Sequence, residues 1–224
     1  MSEINLGTAN TAPFSFVGFS PHSPSGTTTL IVGTQSGRLY KVENAHSQPI
    51  VTDIGSPAFP TANISSVAIG PTDDTLLVTF SNYGVSSVWQ TFDGGNNWYE
   101  CEGNLPDMPI RWAIYHPQNP AQAMLATETG IWTTNMLHEP STEWIPAPEG
   151  MGNVRVDMLR LRENDLTVIA ASHGRGMFTT NWDVDVYTSQ EENQTVLDIR
   201  VYPNPAKDYL TVETSYVKAE TLHC

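Results

Sequence analysis

Thr91-Phe92-Asp93-Gly94-Gly95-Asn96-Asn97-Trp98 decides the reading of this chain, because it closes a pattern that returns along the sequence. Upstream of it, Ser66-Val67-Ala68-Ile69-Gly70-Pro71 is echoed by Phe16-Val17-Gly18-Phe19-Ser20-Pro21 and by Trp112-Ala113-Ile114-Tyr115-His116-Pro117. A second element follows each run: Gly37-Arg38-Leu39, Ser87-Val88-Trp89-Gln90-Thr91, Gly130-Ile131-Trp132-Thr133-Thr134 and Gly176-Met177-Phe178-Thr179-Thr180. Leu39 to Trp89 spans 50 residues, Trp89 to Trp132 spans 43 and Trp132 to Phe178 spans 46. Self-similarity at such a period marks a repeat architecture.

Each repeat holds short runs rich in branched residues: Thr29-Leu30-Ile31-Val32, Thr75 to Phe80, Met124 to Thr127 and Leu166 to Ala170. Runs of this length bounded by Gly, Pro, Asn and Asp read as strands. No window keeps helical spacing, so the chain is all-β. A repeat of three or four short strands has the size of one β-propeller blade, and such a unit buries its faces only against neighbours. Four units are visible, at 14–60, 64–106, 110–150 and 154–182, with Ser81-Asn82-Tyr83-Gly84 inserted in the second. We read residues 1–182 as blades belonging to a larger ring.

The chain has 224 residues, and 24 acidic against 10 basic side chains give it a net charge of −14. That balance argues against nucleic acid as a partner, because a phosphate-binding surface needs clustered Lys and Arg. Cys101 and Cys224 form neither a disulfide framework nor a zinc-ligand spacing. No metal or other cofactor is expected. No run of about 18 apolar residues suggests a membrane span, and residues 1–5 lack a secretory n-region.

Residues 183–198 are polar and read as a linker. A new β segment, Ile199-Arg200-Val201-Tyr202, precedes Pro203-Asn204-Pro205 and Leu210-Thr211-Val212. The 26 residues from 199 to 224 are too few to bury a core, so the chain reads as a fragment shortened at both ends.

Thr91, Asp93, Gly95 and Trp98 match the signature positions of the Asp-box, so the chain resembles the neuraminidase-like, sortilin-like (BNR-repeat) and related bacterial propellers. The resemblance implies a structural turn away from any active centre. Asp93 would accept backbone amides, Gly95 would adopt positive φ and Trp98 would cover the hairpin. Thr134 with Trp144, and Thr180, look like eroded copies. Tyr202-Pro203-Asn204-Pro205 resembles the opening of the C-terminal sorting domain of the type IX secretion system, a small β-sandwich. This implies a secreted or cell-surface bacterial protein with that export machinery as a partner.

His173 and Arg175, in Ser172-His173-Gly174-Arg175-Gly176, are the candidate binding residues, facing an anionic or sugar ligand. The plainer reading is a tight turn whose Arg175 pairs with a carboxylate of the next blade. No spacing singles out a catalytic pair among Asp73, Asp74, Glu128, Asp157 and Asp165, so no catalytic residue is assigned. Trp89, Trp112 and Trp132, at periodic positions, read as core. The expected function is a module that binds glycan or protein. The alternative is a piece of a glycoside hydrolase resembling the Asp-box xyloglucan-degrading enzymes.

Overall fold

A computed structural model describes residues 12–147, 151–182, 196–202 and 211–217, the last two stretches as backbone alone. The chain divides into two compact units, Met1–Val184 and Asp185–Cys224.

The first unit is a succession of antiparallel meanders. Strands β1 (Phe14–Phe19), β2 (Leu30–Thr34), β3 (Leu39–Glu43) and β4 (Ile50–Asp53) form one four-stranded sheet. The next comprises β5 (Ile64–Ile69), β6 (Leu76–Phe80), β7 (Val88–Thr91) and β8 (Tyr99–Glu100). The third has β9 (Ile110–His116), β10 (Asn119–Thr127), β11 (Gly130–Thr134) and β12 (Ile145–Pro146). The fourth has three strands, β13 (Val156–Arg162), β14 (Thr167–Ser172) and β15 (Gly176–Asn181). Among the described residues the only helical turn is 3₁₀, at Glu139–Ser141, and no helix is long and apolar enough to cross a membrane.

These boundaries explain the repeat. The run around Ser66 to Ile69 and its echoes are the first strands of the first three sheets, and the element containing Leu39, Trp89, Trp132 and Phe178 is the third strand of each. The inserted Ser81–Gly84 lies in the loop between β6 and β7, where it lengthens a corner without disturbing pairing.

First strands pack in sequence, β1 on β5, β5 on β9 and β9 on β13. The sheets therefore stack around a common axis with first strands innermost. The core lies between successive sheets. Ile31 and Leu39 meet Ile64, Val78 and Phe80; Leu77 and Val88 meet Ile110, Leu125 and Trp144; Met124 and Ile131 meet Leu159 and Val168. Every residue of β6 is buried, as a strand covered on both faces requires. Val67 and Val168 are buried as their strand phase requires. Ile69 and Ile114, on the same apolar phase of their strands, are half-buried. They pack against the clusters from the margin rather than filling them.

In the second unit, β16 (Val196–Tyr202) and β17 (Thr211–Val217) pair antiparallel, with Tyr202 opposite Thr211. Strand β16 thus begins inside the stretch read as linker. Pro203, Asn204 and Pro205 lie outside the described residues.

Candidate functional site

In an antiparallel meander the start of the first strand and the corner between second and third strands share one end of the sheet. At that end the four sheets converge on a cavity of about 420 Å³. Its wall carries one residue from the same place in each repeat: Ser15, Ser65, Arg111 and Asp157, separated by 50, 46 and 46 residues. A second set sits at the first corner position after β2, β6, β10 and β14, namely Gln35, Ser81, Glu128 and His173. Gln35 and Ser81 line the cavity. Glu128 and His173 reach residues that line it.

The two halves of this mouth differ chemically. On the side of the first two sheets the groups are neutral. Asn63 Nδ2 donates to Ser81 Oγ at 2.8 Å, and Ser65 Oγ donates to the Ile110 carbonyl at 2.6 Å. Phe14, 55% exposed, stands in the same wall. On the side of the third and fourth sheets the groups are charged. Arg111 Nε donates to Glu128 Oε1 at 2.9 Å, and its Nη2 contacts the same oxygen. Arg155 Nε donates to Asp157 Oδ1 at 2.6 Å, which raises the Arg155 pKa further. His173 Nδ1 lies 3.5 Å from Asp157 Oδ2. Trp112 lines the cavity with Phe16 edge-on at 6.1 Å, and the Arg160 Cζ lies 5.2 Å from its ring centroid.

His173 therefore sits at the rim of this mouth, and Arg175 lies two residues further along the same corner. Among the described residues Arg175 does not pair with a carboxylate of a neighbouring sheet. Its Nη1 donates to the Met151 carbonyl at 3.3 Å, within the segment leading into its own sheet. The corner is tight because Gly174 and Gly176 take φ of +84° and +82°, a region open to glycine. The hydroxyl of Ser172 donates to the Gly176 carbonyl at 2.7 Å, and Thr127 does the same for Gly130 at 2.9 Å. Of the three periodic tryptophans read as core, Trp89 is buried, whereas Trp112 and Trp132 are half-buried.

The Thr91–Trp98 turn lies at the opposite end, where third strands finish. Thr91 Oγ1 donates to Asp93 Oδ1 at 2.8 Å and accepts the Gly95 amide at 3.1 Å. Asp93 Oδ1 also accepts the Asn97 amide at 2.8 Å, and Oδ2 accepts Asn97 Nδ2 at 2.6 Å. Gly95 takes φ of +94°. Trp98 does more than cover its hairpin: its Nε1–H donates to the Ile54 carbonyl of the preceding sheet at 2.8 Å. Trp144 repeats this contact one sheet later, donating to the Cys101 carbonyl at 2.9 Å. Thr134 Oγ1 keeps a reduced form of the turn, accepting the Met136 amide at 3.2 Å. Thr180 Oγ1 donates to its neighbour, the Asn181 carbonyl, at 3.4 Å.

The other carboxylates considered for catalysis are dispersed. Asp73 accepts the Ser20 hydroxyl, and Asp165 is held by Arg162, which keeps its carboxyl well below the usual range. Asp93 is likewise lowered, first by the Asn97 side-chain hydrogen bond and then by the Asn97 amide. The sign follows. A carboxyl with a depressed folded-state pKa adds stability above its unfolded pKa, about 4, and loses it as pH falls through the lower folded value. Asp93→Ala is therefore expected to be less stable than the parent at pH 7, and the difference to shrink as pH falls below the unfolded carboxyl's ordinary value of about 4. Urea denaturation of both proteins across that range measures this. A stability difference independent of pH contradicts it.

No protein-family model matches the sequence, and no curated protein matches it. Solved structures do. The chain is similar to the β-propeller domain of Cps50 (Swd1) from Myceliophteria thermophila, with 13% identity, a TM-score of 0.53, and 81% of this chain and 69% of that one covered. The fold is a β-propeller. The chain is also similar to the GH74 enzyme of Niastella koreensis, at 12% identity and a TM-score of 0.51. The GH74 xyloglucanase from Xanthomonas campestris matches at 12% identity and a TM-score of 0.50. Each of these matches covers 71% of this chain, which spans only 26% of the GH74 chains. The four sheets are thus blades, and the mouth lies at one end of the propeller axis. Ser15, Ser65, Gln35 and Ser81 were not singled out in the sequence, although alignment of the repeats at their own period brings them into line with Arg111, Asp157, Glu128 and His173.

Proposed function

We propose that this chain is a binding module that takes a glycan at the axial mouth of its propeller. One observation carries the reading. One position of every blade, Ser15, Ser65, Arg111 and Asp157, and the corner position of the first two, Gln35 and Ser81, turn polar side chains toward one cavity, with Phe14 and Trp112 in its wall. Sugar recognition uses this combination, an aromatic face for the ring and fixed donors and acceptors for its hydroxyls. Glu128 and Asp157, the carboxylates of the mouth, are each held by an arginine, which favours binding over hydrolysis. The Thr91–Trp98 turn, read as an Asp-box, is then structural and faces away from the ligand. The reading extends to the tail, whose Tyr202-Pro203-Asn204-Pro205 would address the protein to the cell surface through a type IX secretion system.

Titration against a panel of neutral and acidic polysaccharides tests the module. Phe14→Ala and Asn63→Ala should each weaken glycan binding about tenfold, the equivalent of ~1.4 kcal/mol. Phe92→Ala, an exposed phenylalanine at the opposite end, should leave it unchanged. The reverse pattern would sink the mouth assignment. For the tail, a reporter fused to residues 183–224, with the remainder of a sorting domain supplied, should reach the surface of a bacterium carrying the machinery. Retention in the periplasm beside an exported control counts against it.

A further inference from the structure

The mouth is not electrically uniform, and its asymmetry narrows the ligand. The first two blades contribute only neutral groups, Ser15, Gln35, Asn63, Ser65 and Ser81, while the third and fourth contribute Arg111, Glu128, Asp157 and His173. Arg111 is neutralised by Glu128, and Arg155 by Asp157. Two further guanidiniums lie on the fourth blade. Arg175 is bonded to a backbone carbonyl, and Arg160 lies against the Trp112 ring. Among the described residues neither has a carboxylate partner. An exposed arginine by itself needs no ligand. Here, however, only 10 basic side chains oppose 24 acidic ones, and these two lie beside the cavity residues, Arg160 against Trp112 in the wall and Arg175 on the corner whose His173 reaches Asp157.

We propose that the mouth selects an acidic glycan, a sugar chain bearing carboxylates, with Arg160 and Arg175 as the residues that recognise its charge. The inference rests on the glycan-binding reading above. The neutral half, with Phe14, receives the sugar ring and its hydroxyls. The cationic half receives the carboxylate, for which a planar guanidinium with several fixed N–H donors is suited. The surrounding negative surface repels polyanions in general, so a carboxylated chain is held only where the potential locally reverses. Arg160 also closes one approach to Trp112, which places a cation beside the aromatic wall that the sugar meets.

The experiment titrates the full chain with oligomers of polygalacturonate and of alginate, each beside its methyl ester, which keeps the skeleton and removes the charge. The acid forms should bind, and esterification should weaken binding about tenfold or more, the loss of one charge-assisted hydrogen bond. Added salt should weaken the acid forms and leave the esters unaffected. Arg160→Gln and Arg175→Gln should each lower acid affinity about tenfold with the ester unaffected. Both side chains are exposed, and an unchanged unfolding midpoint confirms that each variant folds. Equal binding of acid and ester, or arginine variants that bind acid as the parent does, overturns the charge selection and leaves the mouth reading standing. Binding of neutral glycans alone has the same meaning. Failure of every glycan overturns both.

Discussion

Trp144→Ala is expected to lose about 4 kcal/mol of stability, the range for removing a large buried aromatic. The side chain is 1% exposed and fills the interface between the second and third blades with Leu77, Val88, Ile110 and Leu125. Its indole N–H satisfies the Cys101 carbonyl, and its backbone is clasped by Asn104, whose Oδ1 accepts the Trp144 amide at 2.7 Å and whose Nδ2 donates to the Trp144 carbonyl at 3.0 Å. A repeat fold is held by nearest-neighbour interfaces, so the loss falls on one of them. Urea denaturation followed by fluorescence should show a lower midpoint or two separate transitions. Trp144→Phe restores the apolar volume without the donor and should recover about half of the loss, leaving the Cys101 carbonyl unpaired at about 1–3 kcal/mol. A change below about 1 kcal/mol in the alanine variant would mean that this interface is not what holds the blades together.

Gly95→Ala is expected to cost about 3 kcal/mol or more, from positive-φ strain and overpacking together. A Cβ at this position would lie 2.5 Å from the Ile54 carbonyl oxygen and 2.8 Å from the Ile54 Cβ, both fixed parts of the preceding blade. Gly84→Ala is the internal control. It takes φ of +71°, but a Cβ there meets nothing within 4 Å, so it should cost only the left-handed backbone term of about 1–2 kcal/mol. Thermal and urea unfolding of the two variants side by side separates conformational strain from the clash. Equal losses would show that blade packing imposes nothing on Gly95.

The repeat was legible because its cause is local. Gly37, Gly130 and Gly176 recur at the entry to the third strand because that hairpin corner needs positive φ, which they adopt at +81°, +115° and +82°. Short runs of branched and apolar residues bounded by turn residues then place the strands, and strands of that length at that repeat period leave few architectures. The Thr91–Trp98 turn was legible for the same reason: Thr91, Asp93, Gly95 and Asn97 lie within seven residues and satisfy one another.

The site was legible only in part. His173 stood out by its glycine-flanked setting, and it does reach the mouth. Its partner Asp157 lies 16 residues earlier and on another strand, so no local pattern couples them. Arg175 shows the limit from the other side, since its charge suggested a carboxylate but blade packing left a backbone carbonyl within reach.

By itself, then, the sequence determined an all-β chain of repeated antiparallel units with a tight Asp93-centred turn and a separate tail segment, since strand phase, hairpin corners and turns depend on residues close together in the chain. Only the tertiary structure decided which ends of the blades meet on the axis. It alone brought Ser15, Ser65, Arg111 and Asp157 around one cavity, and it made Trp98 and Trp144 fasten each blade to the one before. Those outcomes depend on how whole sheets stack, between residues some 45 positions apart, and side-chain packing at that range carries no local signature.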